Sequence, residues 1–391
     1  MKSKSQRNTN LEILRIITML LIVAHHYIVH GMKGVNFAIT NTNTYIVYFL
    51  AMFGKIGVVL FVLISAYFMI DIKFTLRKLL ILGGEIYFYS FLFLGLAIAF
   101  LSPSELTVAN LGKSLLPISH NGYWFITCYI ILMLFSPFLN KFIKSISRGT
   151  HVKIILLSVL LWSICPTILP AMVSYPTQTV FVGNTFQYTP LVWFFVLYFI
   201  GSYIRLYVDT NKLSFNKLFG GLIISLIIIY IGTCIFGILD TNSTAHLWWA
   251  LPSFDITDLA LYRLFSLENN FFVLSGSVCI FLLFLKRKAF SNKYINYLAG
   301  SVLGVYLIHS NAFGRAFTWN VFKPAAYYNS PNLLAMGIVT VFIVYLLCSG
   351  IDIIRRVTVE KLWIWIIDNK LNFLSTWIEH LTNYLIEKFP H

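Results

Sequence analysis

Residues 10–31 read NLEILRIITMLLIVAHHYIVHG, and where the polar residues fall within that run decides the architecture. A helix crosses the hydrocarbon core of a bilayer with roughly 20 residues at about 1.5 Å rise each. Residues 11–29 meet that length and are mostly apolar, yet they carry Glu12, Arg15, His25 and His26, with His30 just beyond. Ionisable groups inside a membrane are costly and mark function by default. At about 100° per residue, Glu12, Arg15, Met19, Ile22, His26 and His30 fall within roughly 80° of arc, and His25 lies about 100° off that stripe. The spacing predicts a spanning helix with one polar seam. Arg15 sits near one surface, and His26 lies about 16 Å further along the axis.

Similar runs fill the rest of the chain. Hydrophobic residues make up 58% of the 391 and charged residues 11%, with mean hydropathy +0.79. A soluble chain carries roughly 25% charged residues, so this one lacks the polar surface to fold in water. The predicted class is an all-α, polytopic membrane helix bundle of about ten transmembrane helices. They cover residues 11–29, 45–70, 79–101, 123–139, 154–169, 191–207, 218–239, 271–285, 295–313 and 333–354. The first run is as long as the others and has no small-residue cleavage site, so no cleavable signal peptide is expected. The amino-terminal tail and alternate loops hold 17 of the 29 basic residues, while the intervening loops hold only Lys33, Lys113, Arg263, Arg315 and Lys323. Basic residues concentrate on the cytoplasmic side, which puts both termini in the cytoplasm. It also explains the net charge of +15 without nucleic acid, for which no motif is present. The five cysteines lie in apolar runs with no CxxC pair; they read as small hydrophobes.

Two segments are not expected to span. The loop 240–270 mixes Asp255 and Asp258 with Trp248 and Trp249. Acids accept hydrogen bonds from sugar hydroxyls and indoles stack on sugar C–H faces, so these four are candidate carbohydrate contacts; an interfacial aromatic belt is the competing reading. Residues 355–391 are too charged to span and read as an amphipathic tail on the cytoplasmic surface. The expected division is a transmembrane domain, 1–354, and a tail, 355–391.

Residue type suggests the chemistry of the seam. Arginine pairs bidentately with phosphate or carboxylate, and a histidine near neutral pH can take a proton from a hydroxyl. His26 and His30 at i, i+4 lack a third metal ligand in reach, so no metal is expected. The segment 10–31, with Arg15 and His26 in an R-x10-H spacing, resembles the opening of the acyltransferase-3 superfamily of integral-membrane O-acyltransferases. GKIGVVLFVLISAYF (54–68), GYWFITCYIILMLFSPFL (122–139) and GVYLIHS (304–310) resemble its second, fourth and penultimate spans. The flavour is that of bacterial exopolysaccharide and capsule O-acetyltransferases. The resemblance implies a multi-pass cell-membrane enzyme that moves an acetyl group from acetyl-CoA to a sugar hydroxyl of a surface polysaccharide or its lipid-linked precursor. By position, His26 is then the catalytic histidine, with Arg15 as its partner and Glu12 beside it. Arg15, Lys73, Arg77 and Lys78 are candidates for the donor phosphates. Ser65 and Trp124 are candidate oxyanion donors and His309 is a further candidate; Lys55, a cation inside the second span, either pairs with an acid, lines the cavity or snorkels toward the outer surface. The competing reading is a polytopic transporter or flippase of lipid-linked sugar, which favours inverted repeats and paired interrupted helices; neither is visible in the sequence.

Overall fold

The computed structural model describes residues 7–35, 37, 41–120, 122–167, 189–242, 267–371, 373–374 and 377. Every regular element among them is helical. The helices are α1 (Thr9–Val29), α2 (Thr42–Met69), α3 (Leu76–Phe100), α4 (Val108–Leu115), α5 (Trp124–Ser145), α6 (Arg148–Val159), α7 (Pro190–Tyr207), α8 (Phe215–Asn242), α9 (Phe271–Lys286), α10 (Lys293–Ala299), α11 (Val302–His309), α12 (Gly314–Phe322), α13 (Leu333–Val357) and α14 (Val359–Lys370). Side chains set several starts. Asn8, Asn41, Asn270 and Asn292 each accept a backbone N–H of the first turn, satisfying donors that a helix leaves unpaired.

Eight helices among the described residues are long and apolar enough to cross a membrane, and the chain is a multi-pass membrane protein. They correspond to eight of the ten expected spans. Two expected spans differ. The segment 271–285 forms a helix of 16 residues, about 24 Å long, which is short of a full crossing. The segment 295–313 is interrupted, passing from α10 through Gly300 and Ser301 into α11, then through residues 310–313 into α12. Its continuous apolar run hid these breaks.

α1 and α2 form the centre of the bundle, and α2 is the most buried of the spanning helices. Their close approach depends on Gly54: a Cβ there would lie 2.2 Å from Cβ of His25. α1 also packs on α13, α10 and α11.

The basic segments gather at one end. Thr9 N donates to Phe290 O (2.8 Å) and Asn10 Nδ2 to Lys288 O (2.9 Å). Arg205 pairs with Asp71 at 2.7 Å, and Lys286 Nζ donates to Thr210 O at 3.3 Å. At the other end Asn43 Nδ2 donates to Tyr328 O and Ser330 O. Segments that charge assigns to one membrane face are thus the ones that bond to one another.

α13 runs through position 354 to Val357, and α14 then folds back on α3. Trp363 Nε1 donates to Leu80 O (2.9 Å), and Arg77 meets Asp368 with Nε and Nη2 at 2.7 and 3.0 Å. Beneath this contact Arg355, almost fully buried, faces Asp352 (2.8 Å), Glu360 (2.9 Å) and Glu85 (3.2 Å). Tyr89 donates to Asp352 at 2.8 Å. Three acids around one guanidinium lock α3, α13 and α14 together.

Candidate functional site

The imidazoles of α1 meet the interrupted segment. His26 Nδ1 lies 2.9 Å from Nε2 of His309 and 3.2 Å from Oγ of Ser310. Ring centroids of His26 are 5.0 Å from His309 and 4.7 Å from His30. The tautomers follow by elimination. Nδ1 of His309 contacts the carbonyl oxygen of Val305, which can only accept. His309 Nδ1 therefore carries a proton, and Nε2 of the neutral ring holds a lone pair. His26 Nδ1 must then be the donor, so its lone pair is on Nε2. Among the described residues that Nε2 has no hydrogen-bond partner, yet it is not one of the sealed polar atoms that lack one. His26 keeps part of its surface accessible. The ring is held from behind through Nδ1, and Nε2 is the nitrogen left to act as a base.

The break after α11 makes this possible. Non-helical backbone at membrane depth is tolerated where protein satisfies it. Asn311 Oδ1 accepts from Phe313 N (2.9 Å) and Gly314 N (3.2 Å), and its Nδ2 donates to Tyr123 OH (2.7 Å). Tyr123 OH donates to Leu307 O at 2.9 Å. Arg315, the second residue of α12, donates through Nε to Ser310 O at 3.2 Å. Gly304 admits α13: a Cβ there would lie 2.2 Å from Oδ1 of Asp352.

His25 belongs to a different environment. Its Nδ1 lies 2.7 Å from Ala51 O, buried against α2, which is where the offset of about 100° puts it. Arg15 and Glu12 form an ion pair, with Nη1 3.2 Å from each carboxylate oxygen, and the guanidinium lies 5.8 Å from the Phe68 ring centroid. Between this pair and His26 the stripe is hydrocarbon, since Met19 and Ile22 are buried. The seam is polar at its two ends only.

The other candidates are scattered. Arg77 is engaged by Asp368, an exposed pair of the kind that contributes little and exchanges readily with another anion. Lys78 Nζ is 3.4 Å from Lys73 O, and Lys73 is exposed. Ser65 Oγ is spent on Phe61 O (2.9 Å), and Trp124 packs on Phe125 and Phe194. Neither contacts His26. Lys55 has the acid it requires, Glu268, which is buried just before α9. Trp248, Trp249, Asp255 and Asp258 lie outside the described residues. Among those described, no group of three or more His, Cys, Asp or Glu is arranged to hold a metal ion. Sequence reasoning passed over Ser310, Asn311, Tyr123 and Arg315. The available signal was a lone arginine just after an apolar run, on the side where basic residues are sparse.

The family model described as an acyltransferase domain matches residues 8–349, a span that runs from the cap of α1 into α13 and includes every residue of the imidazole cluster. No curated protein and no solved structure matches the chain.

Proposed function

The chain belongs to the acyltransferase-3 family of membrane acyltransferases, and from that membership we propose that it transfers an acetyl group from acetyl-CoA to a sugar hydroxyl of a surface polysaccharide or its lipid-linked precursor, at the cell membrane. The observation that carries this reading is the free Nε2 of His26, opposite a ring nitrogen fixed by His309.

His26 Nε2 takes the proton from the acceptor hydroxyl as its oxygen attacks the thioester carbonyl. When the tetrahedral intermediate collapses, the C–S bond breaks and His26 returns the proton to the departing thiolate. While His26 is charged, the lone pair on His309 Nε2 accepts from its Nδ1–H. His309 is thus a positioning residue and His26 the catalytic one. Arg15, with Glu12 beside it, and the exposed Lys73, Arg77 and Lys78 supply cations for the nucleotide phosphates at the basic end. A donor held there has to extend about 16 Å to reach His26, a span suited to a long flexible arm. The interrupted α10–α11 segment is also the kind of element around which transporters build sites; family membership and a poised base weigh toward group transfer.

The test supplies acetyl-labelled CoA to membranes containing the full chain and follows label into glycan. His26→Ala is expected to lower transfer by roughly 10²- to 10⁴-fold, and His25→Ala by much less, because His25 Nδ1 is engaged by Ala51 O of α2. Undiminished labelling in the His26 variant removes it from the mechanism. Movement of intact lipid-linked sugar without labelling supports the transporter.

A further inference from the structure

Arg315 stands beside the imidazole cluster without a counter-ion among the described residues. Arg15, Arg77, Arg205 and Arg355 each face a carboxylate. Arg315 forms no ion pair among the described residues; its one hydrogen bond runs from Nε to Ser310 O. Ser310 in turn touches His26, so the guanidinium is two contacts from the base. Its two Nη groups make no hydrogen bond, yet neither is sealed from solvent. The side chain is only partly accessible, and a partly buried cation without an anion is costly.

Its position points outward. Arg315 is the foremost charged neighbour of His30 and the weakest of those acting on His26. Lys33, exposed just past α1, also acts on His30. No described carboxylate acts on His26, His30 or His309. Among the described residues, the charged groups acting on the side of His26 away from Arg15 are therefore all basic. A cation serving the thioester carbonyl belongs on the donor side; this one is placed to meet what approaches from the opposite end.

We infer that Arg315, with His30 and Lys33, forms an anion subsite one helical turn beyond His26 that holds the carboxylate or phosphate of an acidic sugar. That this sugar is the acyl acceptor rests on the proposed transfer activity; the anion binding itself does not. A planar guanidinium with both Nη groups free suits either group bidentately.

The experiment uses the full chain in lipid nanodiscs and titrates D-glucuronate, glucose 1-phosphate and neutral glucose by saturation-transfer NMR. At least one anion is expected to bind about tenfold or more tighter than glucose, the size of effect a charge-assisted bond gives. Arg315→Gln is expected to erase that preference and Arg315→Lys to restore part of it, with glucose binding unchanged in both. A response to glucuronate alone identifies an acidic sugar carboxylate, and to glucose 1-phosphate alone a glycosyl phosphate. If neither anion outbinds glucose, or if Arg315→Gln keeps the preference, the subsite is overturned. Transfer is scored separately with labelled acetyl-CoA. A wild type that prefers anions but transfers no acetyl group contradicts the transferase reading and leaves the anion subsite standing, whereas transfer without anion preference does the reverse.

Discussion

His309 stands to His26 as the carboxylate stands to histidine in a hydrolase triad: it holds one ring nitrogen so that the other acts. The difference is charge. A neutral imidazole orients and accepts but offsets no positive charge, so its removal should cost less than removal of the base. His309→Ala is expected to lower kcat by roughly 10²-fold with KM for the donor unchanged. His309→Gln should recover part of the loss, because its carbonyl oxygen can accept from His26 Nδ1–H. Steady-state kinetics on both variants check this; equal losses, or a loss confined to KM, would make the residue a packing element. The period of α1 separates His25 from His26 in the bare sequence, and the structure places them on the two faces that period implies. The partner of His26 was not legible, because it arrives 283 residues later and no periodicity connects positions that far apart. For Lys55 the sequence left an acid partner, a cavity lining and snorkelling all open, and nothing local names Glu268.

Helices with one strong signal were readable, and those built from several weak ones were not. Residues 295–313 are apolar enough for a span, and only Gly300-Ser301 and Ser310-Asn311, pairs common at turns, hint at α10, α11 and α12. α14 was readable as amphipathic and non-spanning, but its docking on α3 depends on Gly84, where a Cβ would collide with the Trp363 indole. That docking has a pH dependence. The Arg77 guanidinium bonded to Asp368 holds its carboxyl below the usual carboxylate range. When α14 is undocked, Asp368 titrates in the ordinary range. The contact therefore contributes fully above that range and is lost as pH falls through the docked value. Amide exchange across residues 363–370 is expected to be slow at neutral pH, after correction for the intrinsic rate, and to lose a small part of that protection toward pH 3, since an exposed pair contributes little. In Asp368→Asn it should be less protected at neutral pH and change less on acidification. A pH response equal in both proteins would assign the effect to other carboxylates.

At the scale of the whole molecule, charge and hydrogen bonding specify one arrangement independently. The distribution of lysines and arginines assigns the basic segments to a single face. In the structure the amino terminus bonds residues 288 and 290, residue 71 bonds 205, and residue 210 bonds 286, all at one end. Residues 43 and 44 bond 328 and 330 at the other. These pairings require the segment from α10 through α12 to carry the chain from one end to the other, although no helix in it has the length of a simple span. A cysteine scan reads this directly. In a background with the five native cysteines replaced, single cysteines at Lys144, Lys212 and Lys288 are expected to resist an impermeant maleimide in intact cells and to react only after lysis. Cysteines at Lys33 and Lys323 should react before lysis. The comparison of 288 with 323 decides the unusual segment, since α10, α11 and α12 lie between them. Opposite accessibility means the interrupted helix completes a crossing and brings His309 to His26 from the cytoplasmic end; equal accessibility would make the segment a re-entrant hairpin and exchange the sides from which donor and acceptor approach.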